Sequence, residues 1–502
     1  MKRITVLLYI EGFFMKKNIL LVVLFGIAVF TSKAQTPCVS GFAGTFPCDN
    51  YDLMAQVEIG ILANENNNSG GSPPEGSDIW GWTDATTGKE YAIAAMTNST
   101  AFVDVTDPVN PIFLGRLDSN AGNNYWRDVK IYNNHAFIVA DIVGDHGMQV
   151  FDLTKLRDIT SPPAILTADA IYEDVGSCHN IFINEDTAIA YLVGCNTFSG
   201  GPNFIDISDP KNPVFLNGYA DEGYTHDVQV VTYTGPDTEH QGKEIFVGSN
   251  KTKIVILDVT DKSNVQKISE ISYSQRGYTH QGWFTEDQRY FLLGDETDEQ
   301  DFGMNTRTLI FDFDDLENPV LSSTYSSDFT AIDHNGYVKG NEFFMANYRA
   351  GLRVFDISNI GSGNNATSMT ETGFFDTYPE SNTTAFNGAW SVYPYFSSGN
   401  IIINDIDRGL FIVRKSGTLS TNTSTINSEF TLFPSPADDL VTIKSFDRNP
   451  IYTIHIFDLQ GQKVFQKENI NQPNYILHKS IMKNGVYFIK INGSIIKKII
   501  FN

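Results

Sequence analysis

AFVDVTDPVNP, at residues 101–111, is the first of six phrases in which an apolar strand ends at an aspartate and runs into a turn. The other five are MQVFDLTKL (148–156), NFIDISDPKNP (203–213), IVILDVTDKSN (254–264), LIFDFDDLENP (309–319) and LRVFDISNI (352–360). The successive aspartates lie 48, 54, 52, 54 and 44 residues apart. Self-similarity at that period predicts a repeat architecture. Four short strands fit into each unit, which is typical of a β-propeller blade.

The repeats extend to seven units, although only six carry the aspartate. The units begin near Trp80, Trp126, Gly176, Tyr224, Tyr278, Ala331 and Asn387. The seventh contains AWSVYPYF, NIIINDI and GLFIVRK but no fourth strand, and the segment AQVEIGIL (55–62) resembles the missing one. We therefore predict an all-β fold, with a seven-bladed β-propeller over residues 36–415. An N-terminal strand is expected to close the ring, so that no sheet edge stays exposed.

The repeated aspartate has a mechanical explanation. Its carboxylate can accept backbone N–H bonds from the residues that follow, as in an Asx turn. Prolines after several of the phrases then fix the link to the outer strand. We therefore do not regard the repeated aspartates as catalytic candidates; they are Asp104, Asp152, Asp206, Asp258, Asp312 and Asp356.

The charge of the chain argues against nucleic acid as a partner. The net charge is −24, and residues 36–431 hold 21 basic and 53 acidic side chains, a balance of −32. A protein that binds nucleic acid presents a basic face. An acidic surface instead favours solubility or attracts cations.

Residues 1–35 are predicted to be a signal peptide. Lys16 and Lys17 precede the apolar run 19–30, and small and polar residues follow it, as in a secretory signal. Met15 is an alternative start, since MKKNILLVVLFGIAVF is a complete signal by itself. A membrane anchor is the other interpretation, but the run is short for a spanning helix. We expect no transmembrane helix in the mature chain.

The four cysteines fit an oxidising compartment. Cys38 and Cys48 flank a short loop after the signal, and Cys178 and Cys195 lie within one repeat. We predict the disulfides Cys38–Cys48 and Cys178–Cys195. A zinc site is the less favoured alternative, because no CxxC or Cys/His spacing is present.

The composition changes after Val413. Residues 416–429 form a Ser/Thr/Asn linker, and alternating apolar residues in 430–502 predict a small antiparallel β-sandwich. This tail carries FPSPA (433–437), IHIFDLQGQKV (454–464), NGVYFIKI (484–491) and KKII (497–500).

In these segments the tail resembles the C-terminal sorting domain of the type IX secretion system of Bacteroidetes. The sorting motif includes Pro434, Pro436, Ala437 and Gly485, and Ser435 stands where the family usually has Asn. The resemblance implies Sec export followed by passage across the outer membrane by the type IX machinery. The protein is then expected at the cell surface or in the medium.

Residues 37–415 resemble the choice-of-anchor B family, whose propellers carry LVIVD-type repeats. The similar segments are 78–117, 126–153, 224–231, 277–296, 333–340 and 351–358. The resemblance implies a propeller fold and an extracellular location, but it brings no established activity.

Aligning the predicted inner strands brings four histidines to one position. The position is occupied by Trp82, Arg127, His179, His226, His280, His334 and Trp390, and the next residue is polar in every unit. Inner strands surround the axis of a propeller, so imidazoles there could hold a transition metal or an anion. The alternative, which we favour, is that each histidine bonds a backbone or hydroxyl group of its own unit. Alternation could also direct these side chains between blades.

A second candidate is the acidic loop 295–303. Asp295, Glu296, Asp298 and Asp301 offer oxygen ligands of the kind that Ca²⁺ prefers. The loop lacks the EF-hand spacing, and a solvated acidic loop is the alternative. His146, in the comparable loop of unit two, is predicted to face the same surface.

No catalytic motif of a hydrolase, a metalloprotease or a nucleotide-binding enzyme is present. We therefore favour an exported propeller without enzymatic activity that binds an extracellular protein or glycan. The alternative is a secreted metal-dependent hydrolase or oxygenase that uses the four histidines.

Overall fold

The computed structural model describes residues 35–63, 74–362, 369–417, 430–433, 437, 439–445, 450–458, 462–479, 482–492 and 495–501. Residues 1–34 of the predicted signal peptide lie outside them, as do residues 418–429 of the predicted linker and Pro434 and Pro436 of the sorting motif.

Between residues 35 and 417, the described residues form seven sheets of at least four strands, numbered here in chain order and each given from its innermost strand outward. Sheet 1 has Gly76–Thr83, Glu90–Met96, Ser99–Asp104, Ile112–Asp118 and the parallel strand Ala164–Leu166. Sheet 2 has Arg127–Tyr132, His135–Ala140, Met148–Asp152 and Ala170–Tyr172. Sheet 3 has Asn180–Asn184, Ile189–Val193, Asn203–Asp206 and Val214–Gly218.

Sheet 4 has Asp227–Thr232, Glu244–Ser249, Ile254–Asp258 and Gln266–Ile271. Sheet 5 has Thr279–Phe284, Tyr290–Asp295, Arg307–Asp312 and Val320–Ser326. Sheet 6 has Gly336–Lys339, Glu342–Ala346, Leu352–Asp356, Thr370–Phe375, Phe46–Asp49 and Phe42–Ala43. Sheet 7 has Ala389–Tyr393, Asn400–Asp405, Gly409–Lys415 and Tyr51–Glu58. The helical turns described are Ile59–Leu62, Leu153–Asp158, Phe198–Gly200 and Asp298–Phe302.

The sheets stand around one axis, which confirms the prediction of an all-β, propeller-like fold. The innermost strand of each sheet contacts the innermost strand of the next, and that of sheet 7 contacts that of sheet 1. Side chains that alternate along a strand face opposite neighbours. In sheet 3, Tyr191 and Val193 pack on sheet 4, whereas Ala190 and Leu192 pack on sheet 2. Burial of both faces explains why apolar residues fill the middle of the second strands, while polar residues lie toward their ends.

The repeated aspartates form the predicted turns. In all six, the carboxylate accepts the backbone N–H of the residue two positions on, at 2.8–3.1 Å; the pairs are Asp104–Thr106, Asp152–Thr154, Asp206–Ser208, Asp258–Thr260, Asp312–Asp314 and Asp356–Ser358.

The N-terminal segment supplies outer strands to two sheets. Tyr51–Glu58 pairs antiparallel with Gly409–Lys415, and Phe46–Asp49 pairs with Thr370–Phe375. The predicted strand, 55–62, was placed too late in the chain. Its partner begins at Gly409, which faces Glu58, so later residues have no strand to pair with and Ile59–Leu62 form a helical turn.

Both predicted disulfides are present. Cys38–Cys48 joins the first described residues to the strand Phe46–Asp49, and Cys178–Cys195 joins the start of the inner strand of sheet 3 to the end of its second strand. No free cysteine remains.

The C-terminal part contains two antiparallel sheets, as the alternation predicts. One sheet has Phe430–Phe433, Leu440–Ser445 and Asn474–His478, and the other has Lys463–Lys467, Ile454–Phe457, Gly485–Ile491 and Ile495–Phe501. Val441, Ile456 and Ile489 belong to one buried core. Within the sorting motif, the Ala437 N–H donates to the carbonyl of Ile500 and Gly485 pairs with Phe501.

Candidate functional site

The four predicted histidines lie side by side at one end of the axis. His179, His226, His280 and His334, called the axial ring here, stand at or near the first residues of the inner strands of sheets 3 to 6. Neighbouring imidazole centroids are 4.1 Å, 4.5 Å and 4.3 Å apart along the series. Trp390 of sheet 7 continues the row 4.8 Å from His334. The side chains therefore converge on the axis instead of lying between sheets.

Trp82 was wrongly assigned to this position. It stacks on Tyr91 and donates from Nε1 to Asn134 Oδ1 at 3.2 Å. The inner strand of sheet 1 begins at Gly76, before the aromatic residues that marked the predicted start. Ser77 occupies the equivalent place, where its hydroxyl donates to the Arg127 carbonyl and accepts the Arg127 N–H.

Arg127 turns from the ring toward a second buried histidine. Its Nη2 lies 3.0 Å from His146 Nε2, while His146 Nδ1 lies 2.8 Å from the Gly147 carbonyl. Nδ1 is therefore the donor and Nε2 accepts from the guanidinium. Burial, followed by the charge of Arg127, lowers the pKa of His146 to about 3. The prediction that His146 faces the surface is wrong, because the residue is fully buried.

Hydrogen bonds to adjacent sheets orient the ring histidines. His179 Nδ1 lies 3.0 Å from Asp141 Oδ2, and His334 Nδ1 lies 2.6 Å from the Trp390 carbonyl. Each Nδ1 must donate, so the Nε2 lone pairs of these two rings are left for another partner. His226 Nδ1 lies 3.0 Å from the Tyr278 hydroxyl. The favoured alternative, a bond within the histidine's own unit, is therefore not what these three residues make.

Glu296 joins the ring from the loop after the second strand of sheet 5. Its Oε2 lies 3.7 Å from His280 Nε2, and its Oε1 lies 3.6 Å from His334 Nε2 and 2.9 Å from the Tyr348 hydroxyl. Burial raises the pKa of Glu296 to about 7. Burial also lowers the pKa of His334 to about 3 and those of His226 and His280 well below their usual value. The imidazoles are therefore neutral and suited to bind a metal.

A polar layer lies one residue further along the inner strands. Asn180 Nδ2 donates to Asp128 at 2.6 Å and to Asp227 at 2.9 Å, and Lys130 pairs with Asp78 and Asp128 at 3.0 and 2.5 Å. Burial raises the pKa of Asp227 to about 7. The layer consists of Asp78, Asp128, Asn180, Asp227, Gln281, Asn335 and Ser391.

The carboxylates of loop 295–303 do not share one centre. Asp295 accepts the N–H groups of Gly277 and Tyr278, Asp298 pairs with Arg307, and Asp301 accepts from Thr297. Glu296 alone reaches the axial ring. The calcium site in this loop stays a prediction.

A larger cavity lies at the opposite end of the inner strands. This far-end cavity has a volume of about 440 Å³. Its aromatic lining comprises Trp80, Phe182, Trp283, Phe284, Tyr393 and Tyr395, and its polar lining includes Lys130, Glu185, Gln229, Thr285, Glu286 and Gln288.

Sequence reasoning missed this cavity, although a signal was present. The residue three positions after the ring residue is aromatic in five sheets: Trp80, Phe182, Trp283, Tyr337 and Tyr393. The prediction placed Trp82, instead of Ser77, at the axial position of sheet 1. Trp80 therefore did not align with the aromatic residues of the other sheets.

Among known families, residues 431–502 match the secretion-system C-terminal sorting domain. No curated protein matches this chain. Several solved structures are similar in part. A functionally unknown protein from Desulfotomaculum acetoxidans is 12% identical, with a TM-score of 0.42, and the match covers 59% of this chain and 88% of that one.

A protein from Lactobacillus plantarum is 13% identical, with a TM-score of 0.44 and coverage of 80% and 98%. The Cps50 (Swd1) beta-propeller domain from Myceliophteria thermophila is 9% identical, with a TM-score of 0.40 and coverage of 68% and 96%. These likenesses are too weak to carry an argument about function.

The described residues include no helix long and apolar enough to cross a membrane. The sorting domain implies export by the type IX secretion machinery to the cell surface or the extracellular space. The chain therefore joins a propeller-like, all-β body to a C-terminal tail of the secretion-system sorting family, residues 431–502.

Proposed function

We propose that residues 37–415 are a seven-bladed β-propeller of the choice-of-anchor B family, and that this exported propeller binds glycans through the far-end cavity. The seven sheets, the contacts between their innermost strands and the pairing of Tyr51–Glu58 with Gly409–Lys415 support the blade count. The aromatic lining of the far-end cavity carries the binding function.

The lining suits a sugar ring. The C–H face of a pyranose is apolar and stacks on a flat aromatic ring, while its hydroxyls need donors and acceptors at the edge. Trp283 lies 5.8 Å from Phe182 and 5.0 Å from Tyr337, and Trp80 lies 5.2 Å from Tyr393, between ring centroids. A volume of 440 Å³ is within the range of small-ligand sites.

The charge at the cavity favours a neutral or amino sugar over an acidic one. Glu185 and Glu286 are exposed at its edge. The one lining lysine, Lys130, is already paired with Asp78 and Asp128. An anionic sugar would therefore meet carboxylates, with no unpaired lysine or arginine among the described lining residues to offset them.

Binding should be measured on the full mature chain by calorimetry with neutral oligosaccharides of hexoses and N-acetylhexosamines. Trp283→Leu keeps apolar bulk but removes the flat ring, and should weaken binding at least about tenfold, or about 1.4 kcal/mol. The matched control is Trp126→Leu beside the axial ring, which should bind normally. The proposal is overturned if the protein binds no carbohydrate, or if Trp126→Leu loses glycan binding while Trp283→Leu keeps it. Binding of a protein instead of a glycan would favour the protein-binding alternative.

The second candidate, a metal-dependent hydrolase or oxygenase, rests on the axial ring. The cavity bounded by the ring and the polar layer has a volume of only about 20 Å³, which is room for one water or ion. A substrate does not fit there, so the glycan-binding function is the one that we propose.

A further inference from the structure

We infer that His226, His280 and Glu296 bind a divalent transition-metal ion on the axis of the sheets, with His334 as a fourth donor. This site is independent of the far-end cavity, since the polar layer lies between them. One possible ligand atom from each of His226, His280 and Glu296 lies within 4.8 Å of the other two.

The spacing of the donor atoms is close to that of a bound metal. Glu296 Oε2 lies 3.7 Å from His280 Nε2, and Glu296 Oε1 lies 3.6 Å from His334 Nε2. In a tetrahedral zinc site with bonds of about 2.0–2.1 Å, donor atoms are roughly 3.3 Å apart. The two measured pairs therefore lie within a few tenths of an ångström of that separation, and the set with His226 lies within 4.8 Å.

Neighbouring groups already hold the ligands in orientation. The Trp390 carbonyl accepts from His334 Nδ1 at 2.6 Å, which directs Nε2 toward Glu296. The Tyr348 hydroxyl donates to Glu296 Oε1 at 2.9 Å. Such second partners fix the tautomer and ring orientation in metal sites.

Glu296 is the group at this place that a cation would serve. His280 is 3% exposed and presents Nε2 to Glu296; its Nδ1 has no hydrogen-bond partner among the described residues, and an ion bound at Nε2 does not supply one. The carboxyl group of Glu296, whose side chain is 16% exposed, faces the imidazoles of His280 and His334 and the phenol of Tyr348. Buried carboxylates in proteins are normally paired with a cation or bound to a metal.

The chemical type of the donor atoms determines which ions the site suits. Imidazole nitrogens with one carboxylate suit Zn²⁺, Fe²⁺ or Cu²⁺ better than Ca²⁺, which prefers oxygen ligands. The cavity of about 20 Å³ is lined by His226, His280 and His334 but not by Glu296, so the ion is placed by its donor atoms and not by that cavity. Because the ligands come from sheets 4, 5 and 6, the ion is expected to tie those sheets together at the axis and to raise stability.

The test uses the tag-free full mature chain, stripped with a chelator and titrated with ZnCl₂. One Zn²⁺ per chain should bind, and Tm should rise with zinc concentration, because an ion bound only by the folded state stabilises it. Glu296→Gln keeps the shape of the side chain and an acceptor for Tyr348. It should weaken zinc binding at least about tenfold, and His226→Gln with His280→Gln should abolish binding.

His240→Gln is the control, because Asp237, His240 and Glu317 form a second group that could hold a metal. Glu317 is exposed there. The proposal is overturned if no stoichiometric zinc binds, if Glu296→Gln leaves the affinity unchanged, or if only His240→Gln removes the ion. Should the double histidine variant fail to fold, Glu296→Gln decides by itself. If a ligand variant loses zinc but still binds glycan, the metal site and the proposed glycan site act independently.

Discussion

Lys130 Nζ lies 3.0 Å from Asp78 Oδ2, across the contact between the innermost strands of sheets 2 and 1. The same ammonium lies 2.5 Å from Asp128 Oδ1, and all three residues are buried. One lysine therefore serves two carboxyl groups between the axial ring and the far-end cavity; burial raises the pKa of Asp128 well above its usual value, whereas the pKa of Asp78, despite burial, is lowered by Lys130.

Replacing Lys130 by Met should lower the free energy of unfolding by about 3–5 kcal/mol, because the buried pair of Asp78 and Asp128 loses its cation. Urea denaturation measures this. Lys89→Met is the matched control: Lys89 pairs with Asp104 at 2.9 Å, but its side chain is 49% exposed. That change should cost less than about 1 kcal/mol. Equal losses in the two variants would contradict the argument.

Asp206→Ala should destabilise the chain by about 1 kcal/mol, since the N–H of Ser208 loses its acceptor at 2.8 Å. Asp206→Asn keeps an oxygen in the same place and should cost clearly less. Thermal unfolding of the two variants compares them. If the Asn variant is as unstable as the Ala variant, then charge and not the Asx turn explains the repeated aspartate.

Val57→Asp should destabilise the chain by at least about 3 kcal/mol, because it places an unpaired charge in the core between sheets 7 and 1. Val57 pairs with Leu410 in the strand pairing that joins the two ends of residues 51–415. Its neighbour Glu58 is exposed, so Glu58→Ala should change stability by less than about 0.5 kcal/mol. A Val57→Asp protein that resists limited proteolysis as well as the wild type would rule out this role for the strand.

Glu299→Gln should stabilise the chain increasingly as the pH rises. Burial, followed by the charge of Asp298, raises the pKa of Glu299 well above its usual value, and neither Glu299 oxygen has a hydrogen-bond partner among the described residues. Above the unfolded pKa, the unfolded state releases a proton that the folded state keeps, so stability falls with rising pH by up to about 1.4 kcal/mol per unit. Urea denaturation from pH 5 to 9 should show a shallower decline in the variant.

The control for that series is Asp301→Asn, on the exposed side of the same helical turn, which should leave the slope unchanged. Parallel curves for Glu299→Gln and the wild type would show that Glu299 does not carry the pH dependence.

The repeat and the ring of histidines could be predicted from sequence, because both depend on spacing along strands. The aspartate marks the end of the third strand, and the residue at the axial position follows 20 to 27 residues later in sheets 2 to 6 and 34 residues later in sheet 7. Sheet 1 has no such aspartate before its inner strand, Gly76–Thr83, and that strand shifts register between Gly76 and Ile79. Trp82 was therefore placed on the axis, and the aromatic column of Trp80 was missed.

Glu296 shows what spacing alone does not predict. It lies in a loop with several carboxylates, and the sequence does not show which of them reaches the axis. Its direction is set by two contacts: its N–H bonds the Tyr278 carbonyl within sheet 5, and its carboxylate accepts from Tyr348 of the neighbouring sheet 6. Such contacts depend on how neighbouring sheets are rotated, which a single strand pattern does not contain.

The strand Tyr51–Glu58 is synthesised near the beginning of the chain, while its partner, Gly409–Lys415, is synthesised just before the sorting domain that starts at residue 431. A chain that is truncated before residue 409 lacks both the strand that pairs with Tyr51–Glu58 and the sorting domain. Synthesis of the sorting domain therefore follows synthesis of Gly409–Lys415, the third strand of sheet 7. The order of segments therefore means that the sorting domain is made only after the strand that completes sheet 7.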